Sequence, residues 1–64
     1  MSNFIEVTVV DYVPNYNVIL NIDTIESVRE SHFNDMTKSQ IVMLDDTIIH
    51  VSNSYNQIKE FLFK

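Results

Sequence analysis

The sequence predicts an α+β fold: a small antiparallel β-meander or curved sheet of about five strands, with one C-terminal α-helix packed on one face. Three observations carry this prediction. Short β-branched segments alternate with period two, beginning at Phe4. Asn and Asp clusters punctuate them at turn spacing. Near the end, the apolar period changes to that of a helix, behind the pattern Ser54-x-x-Gln57.

Taken in order, Phe4 to Val10 reads as a strand, with Ile5, Val7 and Val9 on one face and Phe4, Glu6, Thr8 and Val10 on the other. Asp11 to Tyr16 reads as a longer hairpin connection, because Pro14 bars a central strand there. Val18 to Ile22 returns as a second strand. Ile25 to Glu30 reads as a third, entered through a helical turn. A short helix from Asp23 to Ser31 competes with it, since Ile25 and Val28 are three apart. Ser31 to Lys38 is polar and reads as a loop. Ser39 to Leu44 and Thr47 to Val51 form a hairpin around a two-residue turn, Asp45-Asp46. Ser54 and Gln57 form a capping box opening a helix of about ten residues. Its apolar side is Tyr55, Ile58, Phe61 and Leu62, with Lys59 and Lys64 toward its C-terminal half.

Composition bounds the function. The 64 residues are 45% apolar and 20% charged, which suits one small globular domain over residues 1–64. The longest apolar runs are four residues or fewer, such as Ile41 to Leu44, too short for a membrane helix. No charged start leads into an apolar stretch, so no signal peptide is expected and the chain reads as cytoplasmic. The absence of cysteine excludes disulfides, thiolate zinc sites and thiol nucleophiles. Nine acidic against four basic residues give a net charge of -5, which opposes a conventional grip on nucleic-acid phosphates.

There is no glycine, where average usage gives about four or five at this length. Walker and Rossmann phosphate loops, which need glycine for close backbone approach, are thereby excluded. Positive φ angles fall to Asn and Asp: Asn15, Asn17, Asn34, Asp35, Asp45, Asp46 and Asn53 read as turn chemistry rather than as an acidic site.

One helix covers one sheet face, and here both are apolar. Ile5, Val7, Val18, Leu20, Ile41, Met43, Ile49 and Val51 are expected to meet Ile58, Phe61 and Leu62. Phe4, Val10, Ile19, Val42, Leu44 and Ile48 then lie on the other side, which is too apolar for a solvated sheet. Two readings compete. Either the strands curl into a closed roll and these residues are core, or the second face or a sheet edge is an interface with another copy of the chain. Val42, Leu44, Ile48 and His50 are the candidate contact residues.

The candidate chemical sites are sparse. His32 and Asp35 could supply two metal ligands, but a full site needs three or four. His50 lies out of phase with Ile49 and Val51 and faces away from the helix. Asp45 and Asp46 are neighbours whose side chains diverge in a turn, unlike a convergent acid-base pair. Ser52 and Ser54 have no nearby base. The sequence therefore predicts no catalytic, cofactor or metal site, and no enzyme. Asp11, Asp23, Glu26, Glu30, Asp35, Asp45, Asp46 and Glu60 are scattered along the chain. An acidic phage-type inhibitor that occupies a nucleic-acid-binding protein is the alternative to a self-associating module.

Asn21-Ile-Asp-Thr-Ile25-Glu-Ser-Val28, then Ile41-x-Met43 and a turn, then Val51-x-x-Ser54-x-x-x-Ile58 resembles the small FlbD-like family associated with flagellar and swarming motility. The likeness covers about residues 18 to 62, most of the chain. Asp46 stands where the family has a turn glycine, Asn53 where it has Glu, and the first hairpin carries extra residues around Pro14. The resemblance implies a small cytoplasmic accessory or regulatory protein, of bacterial or prophage type, with no catalytic residues to carry over. Asn21 and Ser54, which match its motif, would form a turn and a helix cap. The chain is less similar to LytTR-type DNA-binding domains, whose positive charge Arg29, Lys38, Lys59 and Lys64 do not supply. The partners to expect are thus a second copy or another protein, with no membrane and no direct nucleic acid.

Overall fold

A hairpin and a three-stranded meander, joined along a single rung, build the sheet. The structure, a computed structural model, describes residues 3–62; Lys64, expected near the helix end, lies outside them. Strands β1 (Phe4–Val9) and β2 (Tyr16–Asn21) form the first hairpin, and a 3-10 turn (Ile22–Thr24) leads into β3 (Ile25–Glu30). Strands β4 (Ser39–Met43) and β5 (Ile48–Val51) follow, then helix α1 (Tyr55–Leu62). All strand pairs are antiparallel, in the order β2-β1-β5-β4-β3. The chain therefore forms the expected α+β fold, with the first strand beside the fifth.

That junction is narrow. Val9 opposes Val51 and is flanked by hydrogen bonds from the Val10 amide to the His50 carbonyl (2.9 Å) and from the Ser52 amide to the Thr8 carbonyl (3.0 Å). Beyond it the ladder continues through a side chain: the Thr8 amide donates to Oδ1 of Asn53 at 2.8 Å. Asn53 thus stands in for a strand residue rather than shaping a turn.

The 23–31 segment resolves as a turn and a strand. Asn21 caps the turn, its Oδ1 accepting the Asp23 amide at 2.9 Å. The register of β3 on β4 then slips between Ile25 and Ser27. This bulge explains the helix-like spacing. With one extra residue in the strand, Ile25 and Val28, three apart, both pack against the core.

The core consists of Ile5, Val7 and Val9 from β1, Ile41 from β4, Val51 from β5 and Ile58 from α1. Val18, Leu20, Met43, Ile49 and Leu62 pack around it, as the alternation requires. Two placements differ from expectation. Val10, expected on the exposed side, is buried at 7% exposure, although it stands outside the core cluster. Phe61 is 45% exposed; the helix aims Ile58 and Leu62, one turn apart, at the sheet instead.

The β4–β5 connection is also wider than a two-residue turn. Val42 opposes Ile48, and the Met43 amide donates to the Thr47 carbonyl at 2.8 Å. Leu44, Asp45 and Asp46 therefore all lie in the loop, and the Asp46 amide closes it on the Met43 carbonyl at 3.0 Å. Asp46 takes a φ of 71°, the left-handed position that ends such a loop.

Candidate functional site

The sheet surface opposite α1 carries three of the four residues singled out for contact, Val42, Ile48 and His50. On the β4–β5 hairpin, Val42 lies directly opposite Ile48, and Gln40 opposite His50. Opposed side chains on one face of an antiparallel pair sit about 5 Å apart, so these form a continuous strip. Ile48 is 50% exposed, and Leu44, in the loop beyond, 62%. Val42 is half-buried.

His50 is held by groups from two loops. One Asp11 oxygen, Oδ2, accepts the His50 backbone amide at 3.0 Å. The other, Oδ1, lies 2.7 Å from Nδ1 of the ring. Phe33, from the 31–38 loop, stacks on the imidazole with ring centres 4.8 Å apart and planes inclined by 22°. In this arrangement His50 ties the β1–β2 and β3–β4 connections to β5, giving it a structural task at the margin of the strip. The sequence carried no signal for this cluster, because Asp11 and His50 are 39 positions apart.

The other candidates are loop and cap residues. His32 and Asp35 are exposed in the 31–38 loop. No group of three or more potential metal ligands occurs among the described residues. Asn34 organises that loop, its Oδ1 accepting the amides of Met36 and Thr37 at 2.9 Å each and the buried Thr37 hydroxyl at 3.0 Å. Asp45 accepts the Thr47 amide through Oδ1 at 3.0 Å. Bonds from Thr47, its side chain first and its amide second, hold the Asp45 carboxyl below the usual carboxylate range. Ser52 is exposed. Ser54 and Gln57 exchange hydrogen bonds: the Gln57 amide donates to the Ser54 hydroxyl oxygen at 3.2 Å, and the Ser54 amide to Oε1 of Gln57 at 3.0 Å.

Hollows open along the sheet. One, of about 430 Å³, opens between β2 and the β4–β5 hairpin, and its wall is mostly apolar: Leu20, Met43, Leu44 and Ile49, with Thr24, Asp45 and Thr47. Leu20, Met43 and Ile49 pack against the core, so the hollow places Leu44 beside the core-facing side of the sheet rather than in line with Val42 and Ile48. Another, about 270 Å³, lies between β3 and α1 and is lined by Ser27, Val28, Tyr55, Lys59 and Leu62. Among the described residues, no helix is long and apolar enough to cross a membrane. No protein family, curated protein or solved structure matches this chain.

Proposed function

We propose that this chain is a cytoplasmic, non-enzymatic interaction module that self-associates through the apolar sheet surface α1 leaves uncovered. One observation carries the reading: Val42 and Ile48 are paired on the outer side of the β4–β5 hairpin, with Ile48 50% exposed, and Leu44, in the loop at the end of that hairpin, is 62% exposed. Small domains bury a limited fraction of their surface, so a second copy is an economical cover for such a strip. The FlbD-like resemblance supports the same class of role, an accessory or regulatory protein rather than a catalyst.

The test is the absolute mass in solution, by light scattering behind a sizing column across a concentration series. The reading expects association that weakens in the Leu44→Lys/Ile48→Lys double variant while the fold persists. Unfolding of that variant would assign both residues to the core, and an unchanged mass would remove the strip from the contact.

A further inference from the structure

The two free edges of the sheet differ. Strand β3 carries Glu26, Arg29 and Glu30 and is bulged between Ile25 and Ser27. Charge and bulges are the usual devices that keep an edge from pairing. Strand β2, Tyr-Asn-Val-Ile-Leu-Asn, has neither, although the chain carries a net charge of -5.

The hydrogen bonds show which main-chain groups that edge offers. Thr8, opposite Asn17, turns its own groups away from β2: its carbonyl accepts from Ser52 and its amide donates to Asn53. At the strand end the Ile22 amide donates to the Asn3 carbonyl at 2.7 Å, toward β1. In an antiparallel ladder these directions alternate. Val18 and Leu20 therefore bond to β1, while Asn17, Ile19 and Asn21 point outward. The Asn21 carbonyl already accepts the Thr24 hydroxyl at 2.7 Å. The open stretch is Asn17 and Ile19, and Ile19 is 66% exposed.

We propose that this edge pairs antiparallel with β2 of a second copy, centred on Val18, so that Asn17 of each chain exchanges main-chain hydrogen bonds with Ile19 of the other. A two-fold axis through the sheet brings residues of one face together. Val18 then meets Val18, and Tyr16 meets Leu20, on the inner side. Centring on Ile19 instead would set Asn17 against the Asn21 carbonyl that Thr24 occupies. The uncharged strand lets two acidic chains meet without like charges opposed along the seam. This contact is separate from the β4–β5 strip and stands without it.

Amide hydrogen exchange on the full chain, followed by NMR at low and high protein concentration, reads the seam directly. The Asn17 and Ile19 amides are expected to slow by about tenfold or more with concentration, with Val18 and Leu20 protected throughout. Ile19→Pro removes a donor that β1 does not use, and is expected to abolish the effect at Asn17. The Leu44→Lys/Ile48→Lys variant is expected to retain it. Rapid exchange of Asn17 and Ile19 at every concentration would overturn the seam. So would an effect lost in the Leu44→Lys/Ile48→Lys variant but kept in Ile19→Pro, which would leave the strip as the contact.

Discussion

Asp46 shows how a chain without glycine closes a tight loop, and what it costs. At φ 71° a β-branched side chain crowds the backbone, whereas Asp tolerates the position. Asp46→Val is expected to lower stability by about 1–2 kcal/mol. Asp46→Gly should be near neutral, because relief of strain is offset by the greater freedom glycine has when unfolded. Thermal melts of the two variants check this. Asp45 adds a pH dependence of known sign. Its carboxyl is held low by Thr47 in the folded state, so the unfolded chain binds the proton first. The associated stability is complete above the unfolded carboxylate value, near pH 4, and is lost as pH falls through the lower folded one. Asp45→Asn should flatten that part of the acid unfolding profile. Asn53 matters differently: Asn53→Ala leaves the Thr8 amide without its partner, at a cost of about 1–3 kcal/mol in chemical denaturation. The use of Asn and Asp at turns was legible in the sequence, and Asn34 and Asn21 act as such. The role of Asn53 was not, because Thr8 lies 45 positions away.

At the scale of elements, periodicity located all five strands, since alternation follows from which face is buried. It failed where the pleat is interrupted. The β3 bulge gave Ile25 and Val28 a helical spacing. The Asp45-Asp46 pair drew attention to itself as a two-residue turn, yet the ladder leaves Leu44 in the loop as well. Helix α1 was announced by its cap, and the Ser54–Gln57 exchange fixes its first turn. Ser54→Ala should cost about 1 kcal/mol, a fall in Tm of about 4–8 °C for a domain of this size. Ile58→Ala should cost about 2–5 kcal/mol, because Ile58 is the helix residue buried in the core cluster. Against the marginal stability of small domains, that loss is enough to populate the unfolded state at room temperature.

For the whole molecule, what sequence could not supply was the joining of the hairpin and the meander. The Val9–Val51 rung and the Asp11–His50 pair link residues far apart in the chain, and neither leaves a local pattern. The surplus of apolar residues outside the core was legible, and the exposed Phe4, Ile19 and Ile48 carry it. Two separate two-fold contacts, the strip and the β2 edge, would together build assemblies larger than a dimer. Self-association stands or falls with the solution mass of the unmodified chain, measured across a concentration series. A self-associating chain has a mass above the 7.5 kDa of one chain that rises with concentration. A mass that stays at 7.5 kDa across the whole series would contradict it.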